Sequence, residues 1–414
     1  MSTSNGLLII GASQAGVQLA VSLRALGYDE PITLLGEENH RPYQRPALSK
    51  EFLQDKVSKE SLIFRTADYW AEHRIEVVAN ERILRIDKQA DGSGAAYAMS
   101  GRRFDFDRLA LTVGARARRL LLEGMDLPGV LYLRNADDAL ELKARVPDVK
   151  DVVVVGGGFI GAEAAASLRA MGRNVVLLEA GPRLLGRAVG EETATEVLRR
   201  HREAGIEIVT GARIKRATAR GDKVGGVELE DGTVYPADLV LVGVGVVPNT
   251  ELAESIGLHC DNGIVVDRQA VASDGVTIAV GDVANLPNPL SEDDADRIRF
   301  ESVNNAVEQG KVAAYAITGR AEEYAGIPWF WSNQGEMKIQ IAGLSAGHDR
   351  TVVRRDEEKG KFSVLYYRRE RLIACDAINT PLDFMAVKAA LSNGQHIPAS
   401  AAADPAVMLK KVTQ

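Results

Sequence analysis

One pattern occurs twice in this chain of 414 residues, and it restricts the fold more than any other feature. Leu7–Gly16 reads LLIIGASQAG and continues as VQLAVSLRALG; Val152–Gly161 reads VVVVGGGFIG and continues as AEAAASLRAMG. Each copy is a short apolar run, a glycine turn, a helical stretch closed by glycine, and a second apolar run, which is a strand–turn–helix–strand unit. Continuous β-branched runs such as VVVV suit strands covered on both faces of a parallel sheet. A unit of this size occurring twice specifies an α/β chain with two Rossmann-like dinucleotide-binding domains, and the length leaves room for a third domain.

The second turn, Gly156-Gly157-Gly158-Phe159-Ile160-Gly161, follows a strand and opens a helix, the context such a fingerprint requires. Gly156 permits the tight turn, Gly158 lets a pyrophosphate approach the backbone, and Gly161 allows close helix–strand packing. The free N–H groups and positive dipole end of the helix face the phosphates. Glu179 closes the next apolar run, VVLLE, where an acid accepts hydrogen bonds from an adenosine ribose and repels a 2′-phosphate. That favours NADH over NADPH, although Arg183 and Arg187 follow as countervailing charges. The first turn, Gly11-Ala12-Ser13-Gln14-Ala15-Gly16, departs from the pattern, with Ser13 in place of the middle glycine. Its hydroxyl can itself reach a phosphate. Glu37 ends the following ITLLGE in the ribose position.

Composition excludes several other classes. Hydrophobic residues at 46% and charged residues at 26% are an ordinary globular balance, and a net charge of -7 disfavours a nucleic-acid protein. Cys260 and Cys375 form no CxxC pair, so neither a disulfide framework nor a redox dithiol is expected; both read as small buried hydrophobes. The six histidines form no metal-ligand cluster. No apolar run is long enough to span a bilayer, and MSTSNGLLIIGAS lacks a basic n-region, so the cytoplasm is the expected location. The expected division is 1–115 and 248–325 for the first nucleotide domain, 116–247 for the second, and 326–414 for a C-terminal α+β domain. Pro287–Asp296, with the acidic stretch Glu292–Asp296, reads as a surface loop, and the alanine-rich Ala399–Ala406 as a partly disordered tail.

Other segments are more specific than either glycine turn. His40–Lys50 reads HRPYQRPALSK. Leu133-Arg134 precedes an Asp-Asp-Ala, and GGGFIGAEAAA starts at Gly156. GVGVVPN follows from Gly243, AVGDVA from Ala279, FESVNNAVEQGK from Phe300 and PWFWSNQ from Pro328. In this order, over nearly the whole chain, they resemble the FAD-dependent ferredoxin reductases that serve bacterial oxygenases, a glutathione-reductase-like fold. The resemblance implies FAD and NADH as cofactors. It places Lys50 beside the reactive central nitrogen of the flavin ring and Glu163 facing it from the NAD domain. Arg134 and Ile83 touch the FAD, Asp282 holds the ribitol chain, and Val303 lies near the pyrimidine end. Trp331 sits at the flavin edge, where an electron partner approaches. Ala15, Arg45, Thr112, Ile160 and Arg187 complete the candidate cofactor-binding residues. A cation at Lys50 would stabilise the negative charge of reduced flavin.

The implied reaction takes hydride from NADH and passes single electrons to an iron–sulfur ferredoxin, because a flavin converts between the two. No general base is needed. Arg65 and Lys311 are candidate docking contacts for an acidic ferredoxin, beside Trp331. Three alternatives share the architecture. A flavin disulfide reductase needs a cysteine in the flavin loop, and Gln44–Lys50 holds none. An NADH oxidase or monodehydroascorbate-type reductase uses a small acceptor. A redox sensor resembling apoptosis-inducing factor turns over slowly.

Overall fold

The structure, a computed structural model, describes residues 4–291 and 293–414, so Glu292 of the acidic stretch lies outside the described residues. The chain divides into two compact units, one built from 4–44, 59–116 and 247–326, the other from 45–58, 117–246 and 327–414.

In the first unit, strands Leu7–Ile10, Ile32–Leu35, Ile75–Val78, Arg108–Leu111 and Ile278–Ala279 form one parallel sheet with Leu7–Ile10 at its centre. A parallel sheet needs helices as crossovers. Helices Gln14–Ala25 and Val303–Ile317 pack together in this unit, and Leu19, Leu23, Ala313 and Ala314 lie in one core with Ile9 and Leu34. The second unit repeats the arrangement with strands Val130–Tyr132, Asp151–Val155, Asn174–Glu179, Glu207–Thr210 and Leu239–Val242, again with the glycine-turn strand central. The repeat goes further than the turns. Each unit also carries a three-stranded antiparallel meander, Ile83–Lys88 to Arg103–Phe106 in the first and Ile214–Arg220 to Val234–Pro236 in the second.

The second unit contains a further five-stranded antiparallel sheet in the order Trp329–Gln334, Met337–Gly343, Arg371–Ile378, Lys361–Arg368, Arg350–Asp356. Its apolar face shares a continuous core with the parallel sheet: Ile339, Phe362, Val364 and Tyr366 cluster with Val152, Val154 and Leu177. Helix Pro381–Ser392, with proline in its first turn, packs against the same sheet.

Two expectations are corrected here. The alanine-rich tail is ordered: Ala399–Ala402 is a short helix with Ala399 and Ala402 buried. The cause is Arg354, buried in the sheet. Its guanidinium donates to the carbonyls of Ala402 at 2.6 Å, Asp404 at 2.8 Å and Val407 at 2.7 Å, and to the Asp383 carboxylate at 3.0 Å. An arginine 45 or more residues upstream gives the tail no local signal. Second, Cys375 is fully buried, as a small hydrophobe should be, but Cys260 is only half-buried.

Candidate active site

The two glycine turns are alike in their physical demands. Gly11 and Gly156 have φ of +117° and +105°, a region that favours glycine. A Cβ on Gly16 would overlap the carbonyl oxygen of Gly11, and one on Gly161 that of Gly156. The middle position is different. Ser13 (φ -110°, ψ -159°) and Gly158 (φ -76°, ψ -177°) are both extended, and a Cβ on Gly158 meets nothing within 4 Å. The serine therefore sits at Ser13 without backbone strain. At the second turn the Glu179 carboxylate accepts hydrogen bonds from the Gly157 N–H at 2.6 Å and the Gly181 N–H at 2.5 Å. It is fixed at the turn, with lone pairs left for a ribose hydroxyl. Glu37, its counterpart, is exposed.

In the first unit the structure draws Gly11, Gly16 and Thr112 together: the Thr112 hydroxyl donates to the Gly11 carbonyl at 2.7 Å. Gly281 has φ +87°, and a Cβ there would lie 2.9 Å from that of Ala15. The Gly281 N–H donates to Gln309 Oε1 at 2.6 Å, while Gln309 Nε2 is buried with no partner among the described residues. Asp282 is the next residue, Ile83 is buried with Ile10 and Leu35, and Val303 opens the helix capped by Ser302. The bare turn and the orphaned amide donor fit a cofactor with phosphate and carbonyl acceptors, as FAD has. The bare, open Gly158 with the fixed Glu179 fits a nicotinamide dinucleotide.

In the second unit, Lys50 and Glu163 form an ion pair at 3.0 Å, with residue exposures of 6% and 3%. Neither side chain faces solvent. Helix Phe159–Ala170 is rich in alanine and buried from Gly161 to Leu168, because its small residues let neighbours approach closely. Strand Trp329–Gln334 packs on it, with the Phe159 and Phe330 rings 4.4 Å apart, and this seals Glu163 inside. Oε2 of Glu163 accepts from the Ser49 hydroxyl at 2.6 Å and Oε1 from the Ser332 hydroxyl at 2.7 Å. Three donors on one carboxylate offset the cost of burying its charge. Sequence reasoning did not single out Ser49 or Ser332, although both lie in quoted motifs; a small polar residue interrupting WFWSNQ was the available signal.

Arg45 donates to the Arg134 carbonyl at 2.9 Å. Ile160 is 46% exposed on the turn helix, and Arg187 is exposed with Gly245 as a neighbour. Trp331 is half-buried and packs at a tilt against Trp329, ring centroids 5.5 Å apart. It alternates with Ser332 along the strand, so its side chain points away from Glu163. In the first unit, Arg65 is exposed over the Tyr69 ring and Lys311 pairs with Glu308 at 2.9 Å. Among the described residues no His, Cys, Asp and Glu cluster could hold a metal, and no helix is long and apolar enough to cross a membrane.

The two turns define a fold with two dinucleotide-binding units, and comparison with known proteins agrees. Residues 6–310 match the pyridine nucleotide-disulphide oxidoreductase family and residues 329–413 the reductase C-terminal domain. Rhodocoxin reductase of Rhodococcus erythropolis is 40% identical over 98% of this chain and 93% of its own length. Putidaredoxin reductase of Pseudomonas putida is 35% identical over 100% of this chain and 97% of its own. Among solved structures, the ferredoxin reductase for the CYP199A2 system from Rhodopseudomonas palustris superposes with a TM-score of 0.93 at 40% identity, covering 99% of both chains. The reductase in a covalent putidaredoxin reductase–putidaredoxin complex gives 0.91 at 35% identity, covering 98% of this chain and 97% of that one. The chain belongs to the pyridine nucleotide-disulphide oxidoreductase family. It is an FAD- and NAD(P)H-dependent oxidoreductase with a sheet-rich C-terminal domain.

Proposed function

We propose that this protein is an NADH-dependent ferredoxin reductase of an oxygenase system, working in the cytoplasm with an iron–sulfur ferredoxin as its electron acceptor. The observation that carries this reading is the buried Lys50–Glu163 pair, built from the RPALSK and GAEAAA motifs in a flavin loop without cysteine. Bound FAD supplies the conversion of a two-electron hydride into single electrons. The chain's own residues do the rest. Residues 1–115 and 248–325 hold FAD through Gly11, Ser13, Ala15, Gly16, Glu37, Ile83, Thr112, Asp282 and Val303. Residues 116–247 hold NADH through Gly156, Gly158, Ile160, Gly161, Glu179 and Arg187. Arg45 and Arg134 also contact FAD, Lys50 offers its ammonium to the negative charge of the reduced ring, and Glu163 holds that ammonium in place. The fixed negative charge of Glu179 favours NADH over a 2′-phosphorylated cofactor.

NADH consumption in air, with and without a ferredoxin, tests the acceptor: slow turnover alone and a large rise with ferredoxin are expected, whereas fast oxidase activity alone would identify a small-acceptor reductase. Arg65, Lys311 and Trp331 are the proposed docking contacts. Arg65→Glu with Lys311→Glu should weaken ferredoxin turnover about tenfold or more and leave NADH–ferricyanide turnover intact; equal loss in both assays removes the docking idea.

A further inference from the structure

The hydrogen bonding of Glu163 does not end at Ser49 and Ser332. Gln334 Nε2 donates to the Ser332 hydroxyl at 3.1 Å, and His201 Nε2 lies 2.8 Å from Gln334 Oε1. Ser332, Gln334 and His201 are 0%, 1% and 2% exposed, so the chain is buried throughout. Its outer members, Gln334 and His201, line a cavity of about 880 Å³ whose wall includes Glu196, Arg200 and Arg355.

The direction of every bond in this chain follows from its inner end. A carboxylate paired with an ammonium can only accept, so the Ser332 hydroxyl donates to it. The Ser332 oxygen then accepts, which requires the NH₂ of Gln334. That turns Gln334 Oε1 toward His201, and an amide oxygen only accepts, so His201 must carry its proton on Nε2. Hydrogen bonds aligned head to tail and ending on a charge polarise one another. Burial lowers the pKa of His201, with the hydrogen bond to Gln334 opposing, which suits a neutral ring donating one N–H.

We infer that His201 is a positioning residue for the Lys50–Glu163 pair, acting through Gln334 and Ser332 from the edge of the cavity. This rests on the proposed role of Glu163 beside the flavin. An arrangement that merely satisfied buried polar groups would help folding and leave flavin chemistry unchanged.

The test uses the holoenzyme and its His201→Leu, His201→Gln and Glu163→Gln variants. Leucine removes the donor; glutamine keeps an N–H but cannot titrate. With ¹⁵N-labelled histidine, the wild type should show His201 as the Nε2–H tautomer, assigned by its loss in H201Q, and E163Q should shift that resonance across the two intervening residues. Anaerobic flavin reduction by NADH should slow about three- to tenfold in H201L and return to within about twofold of wild type in H201Q. An Nδ1–H tautomer, a resonance unmoved by E163Q, or wild-type reduction in H201L beside slow E163Q overturns the inference while leaving Glu163 in place. Wild-type reduction in E163Q removes the Glu163 assignment and this inference with it. The tautomer measurement stands even if H201L does not fold.

Discussion

At the scale of single residues, the same glycine letter does two different jobs in the repeated turn. The first and last glycines are imposed by left-handed backbone and by a carbonyl in the way, and the middle one is not. Gly158→Ala should therefore melt within about 0.5 kcal/mol of the wild type, whereas Gly161→Ala should lose about 1–3 kcal/mol to overpacking. Denaturant titration of the two variants checks this, and equal losses would contradict it. Ser13, a departure from the sequence pattern, is explained by the same geometry. The polar shell around Glu163 was much less legible. Glu163 reads as one acid in an alanine-rich helix, and the residues that bury it lie 114 positions before and 169 after, as Ser49 and Ser332. Local pattern carries no record of partners so distant.

At the scale of elements, the parallel strands and their helices were legible because apolar runs and glycine punctuation are local signals. The strand order of the C-terminal sheet was not, since Met337–Gly343 pairs with Arg371–Ile378 across two intervening strands. The same sheet reaches helix Glu191–Glu203 through a buried acid. Asp376 Oδ2 accepts from the Tyr366 hydroxyl at 2.5 Å and from the Gly190 N–H, just before that helix, at 3.3 Å. Burial pushes the Asp376 carboxyl up to about 6, against the pull of its Tyr366 hydrogen bond. A raised carboxyl keeps its proton in the folded state after the unfolded chain has lost it. Its contribution to stability is thus present below the ordinary aspartate range and is lost as pH rises through about 6. Over pH 4–6 this group alone should reduce stability by about 1.4 kcal/mol per pH unit. Asp376→Asn should remove that slope. Unfolding free energies of both proteins at several pH values decide it, and parallel curves would refute the assignment.

At the scale of the whole molecule, duplication organises the chain: two parallel sheets, each with a glycine-turn strand at its centre and a meander attached, and a C-terminal sheet on the second. Such a chain has two dinucleotide turns and no cysteine in the flavin loop. The most direct test is electron counting. Holoenzyme mixed without oxygen with limiting NADH and excess oxidised ferredoxin should reduce about two ferredoxins for each NADH, since hydride carries two electrons and each iron–sulfur centre takes one. NADH consumed with no iron–sulfur reduction, or a purified protein that binds no flavin, would contradict the account.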